Sequence, residues 1–180
     1  VREVVQASSG REAEKFYANS THNVYLTPVN QELAETHPFN RQVLSSKGLL
    51  ADDQIPHDSP LRELYEAPSF REFQCSVLGI REIHPYADKL SSINIHYAQE
   101  GKELGWHFDN SSFAVTLLLQ APKEGGVFQY ASDLNNTDSE KVNLKAVEAV
   151  LNDDAPVTNL KIEEGTLILF RGRTSLHRVT

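Results

Sequence analysis

The chain has 180 residues, of which 39% are hydrophobic, and a formal net charge of −8. That size suits one domain with a sizeable core and is short for two, and the composition is globular rather than disordered. The acidic balance argues against a nucleic-acid-binding surface, which needs clustered Lys and Arg.

No run of about 18 apolar residues announces a transmembrane helix. No basic region leads into an apolar one at the N-terminus, so no signal peptide is expected. Cys75 is the one cysteine. A lone thiol forms no internal disulfide and suits a reducing, cytoplasmic setting; its apolar surroundings predict a buried side chain acting as a small hydrophobe.

In chain order, the first part reads as mainly helical. Residues 11–17 predict a short helix and residues 38–44 another. Residues 48–58, with Asp52, Asp53, Pro56 and His57, read as an exposed loop. Ser59-Pro60 is an N-cap followed by proline at the first helical position, and Leu61, Leu64, Tyr65, Phe70, Phe73 and Val77 then fall near helical spacing. Pro68 divides that stretch into two helices, and Gly79 marks a C-terminal stop. From about residue 90 the pattern changes to short strands: 92–97, 113–119, 126–130, 166–170 and 176–180. Residues 133–140 read as a polar loop. Leu144, Val147, Val150 and Leu151 fit an amphipathic helix. The long connection over 131–160 suggests a lid that helps close over a substrate.

The chemistry concentrates in Gly105-Trp106-His107-Phe108-Asp109-Asn110. Residues i and i+2 of a strand share a face, so His107 and Asp109 can reach one point, and His177 follows in a later strand-like segment. Two imidazoles and a carboxylate leave three positions open on a metal, the arrangement of non-haem Fe(II) oxygenases. An isolated HxD tripeptide is equally at home in an ordinary core strand. Here an aliphatic strand, a Gly-Gly turn and a last strand pair separate it from His177, the order a double-stranded β-helix needs. The predicted fold is therefore α+β over a single domain of residues 1–180. Residues 1–90 are mainly helical, and 91–180 form a jelly-roll, cupin-like core.

Residues 92–180 resemble the Fe(II)/2-oxoglutarate-dependent oxygenases. The matching residues are His107-Phe108-Asp109, Glu124-Gly125-Gly126-Val127-Phe128, and Gly165-Thr166-Leu167-Ile168-Leu169-Phe170-Arg171-Gly172-Arg173 leading to Leu176-His177-Arg178-Val179-Thr180. Residues 60–86 are similar to the branch of standalone amino-acid hydroxylases and related radical halogenases that act on free lysine-like amino acids. The resemblance implies Fe(II) held by His107, Asp109 and His177, with 2-oxoglutarate and O₂ as co-substrates. It also implies a small-molecule substrate, while the acidic charge and the lack of a long apolar run argue against nucleic acid and membrane as partners. In the halogenases the HxD carboxylate is replaced by Gly or Ala, which frees a position for chloride. Asp109 therefore implies hydroxylation as the default, with desaturation or another oxidation left open. A protein side chain or larger metabolite as substrate, and a non-catalytic cupin-like binding module, are the alternatives.

Tyr97 lies near where such enzymes place a tyrosine against the co-substrate, although a half-buried strand tyrosine is equally ordinary. Asn94 and His96 share the opposite face of that strand and could meet substrate or co-substrate. Thr116 and Gln129 are polar residues in apolar strands, and a ligand could be their partner. Arg171 and Arg173 resemble the family's Arg-Gly-Arg turn, facing either co-substrate and substrate or solvent. Arg178 points away from the metal, and Phe108 reads as core. The arginine that meets the distal carboxylate of 2-oxoglutarate normally follows the last histidine by several residues. The chain starts at Val1, contains no Met and stops in a strand-like segment at Thr180, so it reads as a fragment with that arginine beyond Thr180.

Overall fold

The computed structural model describes residues 16–88, 90–136 and 141–180. The chain divides into two compact units. Among the described residues one holds 16–17 and 48–97, the other 18–47 and 98–180. The elements in chain order are β1 (Phe16–Asn23), β2 (Gln42–Leu50), α1 (Pro60–Glu66), α2 (Pro68–Leu78), β3 (Ile95–Tyr97), β4 (Leu104–His107), β5 (Ala114–Leu117) and β6 (Phe128–Ala131). After them come β7 (Asn135–Asn136), β8 (Lys141–Val142), α3 (Leu144–Leu151), β9 (Thr158–Leu160), β10 (Leu167–Phe170) and β11 (Leu176–Val179). Among the described residues, antiparallel sheets with three α-helices make this an α+β fold.

In the larger unit the strands follow the order β1-β2-β4-β11-β6-β9. The central strand, β11, is antiparallel to both neighbours: His177 lies opposite His107 of β4 and Tyr130 of β6. β5 and β10 form a separate antiparallel pair with Leu167 opposite Leu117, and β7 and β8 a short one. One face of the sheet is closed by α3. Asn143 caps that helix, its side chain accepting from the Ala146 N–H at 3.2 Å. Val147, Val150 and Leu151 of α3 are buried with Val24, Trp106, Phe108 and Leu176. The segment read as a lid therefore contributes a helix to the core, because its apolar stripe has a sheet face to cover.

In the smaller unit Gly48–Leu50 of β2 pair antiparallel with β3. The Ser59 hydroxyl accepts from the Leu61 N–H at 3.3 Å at the start of α1, Pro68 opens α2, and Gly79 ends it in the left-handed region at φ 68°, all as the sequence predicts. Burial along α2 differs from expectation: Phe73 and Val77 are exposed, Gln74 is buried and Cys75 is only half-buried.

The early helices are where the sequence misleads most. Residues 11–15 of the first lie outside the described residues, while Phe16 and Tyr17 open β1. Residues 42–44 of the second belong to β2, where strand pairing overrides local propensity. The loop expected over 48–58 is also partly structured. It begins as strand, and Asp52, read as solvated, is buried, accepting from Arg62 Nη2 at 2.8 Å and from the Ile93 N–H at 3.2 Å. The Ser92 hydroxyl donates to Asp52 Oδ2, the oxygen that also accepts the Ile93 N–H, while Arg62 meets Oδ1. These donors hold the Asp52 carboxyl below its usual range despite the opposing effect of burial. Of the polar loop over 133–140, residues 137–140 lie outside the described residues.

Truncating Leu151 to Ala is expected to cost about 2–5 kcal/mol in urea unfolding, as for other buried leucines. A lid side chain would cost almost nothing.

Candidate metal centre

β4 and β11 lie side by side, so His107 and His177 are direct cross-strand neighbours on one face, with ring centroids 4.2 Å apart. Both imidazoles are oriented by the same local device. His107 Nδ1–H donates to the Gly105 carbonyl at 2.8 Å, and His177 Nδ1–H donates to the Ser175 carbonyl at 2.9 Å. Each ring thus hydrogen-bonds the backbone two residues upstream and turns its Nε2 lone pair to the common point.

Asp109 reaches that point by another route than expected. β4 ends at His107, so the i, i+2 strand argument does not place the carboxylate. Its segment is held by the Asp109 N–H donating to the Gly172 carbonyl at 3.0 Å. Asp109 Oδ1 then stands 3.6 Å from Nε2 of both histidines. That is too long for a hydrogen bond, but it is natural for ligands each about 2 Å from one ion. Asp109 Oδ2 is buried with no partner. One donor atom from each of the three residues lies within 4.8 Å of the others.

The electrostatics fit ligands better than an ion pair. Burial first, and the neighbouring His177 second, push the His107 pKa down to about 3, so its imidazole is neutral and its lone pair available near neutral pH. A divalent cation at the common point would neutralise the carboxylate and bind Oδ1 together with the two Nε2 atoms, so the donor set fits a metal such as Fe(II).

Around the triad, His177 stacks on Phe128 at 5.7 Å and meets the edge of Phe170 at 4.9 Å. On the opposite face of β11, Arg178 lies over the Trp106 ring at 4.7 Å and donates to Gln129 Oε1 at 2.6 Å. Phe108 stacks on Tyr25 at 5.3 Å within the core.

A polar chain supports His107 from behind. His22 Nδ1–H donates to the Asn23 carbonyl, leaving His22 Nε2 to accept the Ser45 hydroxyl at 2.6 Å. The Ser45 oxygen in turn accepts the Gly105 N–H at 2.9 Å. A side chain at 105 would run into the Leu44 carbonyl, so glycine is what lets β4 approach β2 here. Nothing in the sequence singles out His22, and no motif links it to Ser45.

The remaining expected contacts separate. Thr116 lies exposed on β5 opposite Ile168, so it is not a buried group in need of a ligand. Gln129 finds protein partners in Arg178 and Asn159. Arg171 is exposed, and its carbonyl accepts from the Thr174 and Ser175 N–H groups at 3.1 Å. Arg173 turns back to the Asn110 carbonyl. Tyr97 and Asn94 belong to the smaller unit. Tyr97 is half-buried opposite Gly48, and the exposed Asn94 donates to the Ser91 carbonyl at 3.2 Å. A co-substrate role for Tyr97 rests on the resemblance, and one for Asn94 on its place in the predicted strand 92–97, of which the structure keeps only Ile95–Tyr97 as strand.

With the metal absent, stability is expected to fall as pH drops from 6.5 toward about 3, because the unfolded chain takes up a proton at His107 that the fold refuses. In a His107→Gln variant, the slope of unfolding free energy against pH should be shallower across that window.

The halogenase D family model matches residues 30–180, and the chain belongs to that family. No curated protein matches it. Among the described residues no helix is long and apolar enough to cross a membrane.

Proposed function

We propose that this member of the halogenase D family is an Fe(II)- and 2-oxoglutarate-dependent dioxygenase. It would hydroxylate an unactivated C–H bond of a small polar substrate, most simply a free amino acid. The reading makes residues 1–180 one oxygenase domain with a double-stranded β-helix core. The observation that carries it is the Asp109 carboxylate, set between two imidazoles with a buried, unpartnered oxygen.

Bound Fe(II) would supply the oxidising chemistry, with O₂ and 2-oxoglutarate consumed and alcohol, succinate and CO₂ formed. The protein's own residues do the rest. His107 and His177 offer neutral nitrogen ligands and Asp109 one negative charge, leaving three positions for the co-substrates. Phe128 and Phe170 cover the flank of His177 and exclude water from that side. Asp109 also decides the outcome. A carboxylate that fills its position leaves no place for a halide there, which favours transfer of hydroxyl over halogen to the substrate, despite the name of the family.

The test is anaerobic titration of the protein with Fe(II) and 2-oxoglutarate, followed by a screen of the twenty free amino acids for stimulated succinate formation. We expect a weak visible charge-transfer band and one responding amino acid. Absence of the band points to a binding module, and a band with no responding amino acid points to a larger substrate. Asp109→Ala should abolish hydroxylation. Normal turnover in that variant would falsify the ligand assignment.

A further inference from the structure

The Asp109 segment is gripped by residues 172 and 173. The Gly172 carbonyl accepts the Asp109 N–H, and Arg173 Nε donates to the Asn110 carbonyl at 3.1 Å. Gly172 is buried, and its α-carbon faces the carboxylate directly. A Cβ built there would overlap Asp109 Oδ2, stand 2.5 Å from its Cγ and 2.9 Å from its Cβ. Real Cβ atoms essentially never come within 3.0 Å of such neighbours. The carboxylate cannot relieve this cheaply by turning, because the same glycine holds its backbone and the 2.9 Å contact is to Asp109 Cβ, which side-chain rotation does not move.

We propose that Gly172 is a positioning residue that sets how large a ligand residue 109 can present: hydrogen at 172 admits a carboxylate, and a methyl group expels it. The inference rests on the proposed metal centre. Its contacts grade the effect. Shortening residue 109 to Ala removes the overlaps with Oδ2 and Cγ but keeps the 2.9 Å Cβ contact, and only Gly at 109 removes all three.

The experiment is a mutant cycle of the wild type, Gly172→Ala, Asp109→Gly and the double variant, with Asp109→Ala/Gly172→Ala as the graded control. Two quantities are read: Co(II) affinity from the visible absorption of the ion, and the melting temperature of the metal-free protein. Gly172→Ala should weaken Co(II) binding by about tenfold or more, to the level of Asp109→Gly. Adding Gly172→Ala to Asp109→Gly should change affinity no further. In melting, Gly172→Ala should lie below wild type, the double variant should match Asp109→Gly, and the graded control should lose part of the difference.

Wild-type Co(II) affinity in Gly172→Ala overturns the proposal. So does an equal loss of affinity or melting temperature from Gly172→Ala in both backgrounds. If Gly172→Ala alone does not fold, recovery of folding in the double variant supports the proposal, and failure there while Asp109→Gly folds overturns it. If wild type binds no Co(II), the metal-centre reading fails separately, and the melting series still decides the packing claim.

Discussion

The pairing of β4 with β11 is the constraint on which the site depends. In that register His177 lies opposite His107, while Leu176 and Trp106 turn to the other face and enter the core beside α3. Side chains alternate along a strand, so burying Leu176, Trp106 and Phe108 obliges the two histidines to face away from the core. A one-residue slip of β11 would send His177 into the hydrophobic layer and expose Leu176, whose burial is worth about 1.5–3 kcal/mol. The metal site inherits its precision from hydrophobic packing on the reverse of the same strands.

The carboxylate is placed by different physics. Asp109 lies past the end of β4 and is fixed by a loop contact with Gly172. Its unpartnered, buried Oδ2 costs about 1–3 kcal/mol by the usual scale for such groups, and more if charged. A cation between the three donors would meet the other oxygen, Oδ1, and balance the buried charge. Folding therefore buries a carboxylate whose charge a metal would offset.

The meeting of His107, Asp109 and His177 was legible because a metal centre needs particular residue types, and the order of strands around them left few alternatives. Helix signals with a clear mechanism were also readable: the Ser59 cap, the Pro68 break and the Gly79 stop each act through local geometry. What could not be read depended on distant partners. Residues 42–44 look helical in isolation, yet they pair as strand. Asp52 sits in a polar run and is buried because Arg62 and Ser92 come to it. The apolar stripe of residues 144–151 was recognised, but only the face presented by Trp106, Phe108 and Leu176 shows that it belongs to the core. Gly172 was noticed as part of a motif, whereas its contact with Asp109 exists only in three dimensions.

The way the imidazoles are held has a consequence for metal choice. Carbonyls of their own strands, those of Gly105 and Ser175, select the tautomers, so no carboxylate or water from another segment is required. The donor directions are established when the strands pair, before a cation arrives. A centre prepared so locally has little means of reshaping itself around a favoured ion. Later first-row divalent ions bind such nitrogen and oxygen donors more tightly than Fe(II) does. Were iron the ion used, its loading would be a matter of supply, and protein exposed to mixed metals would collect nickel, copper or zinc in preference.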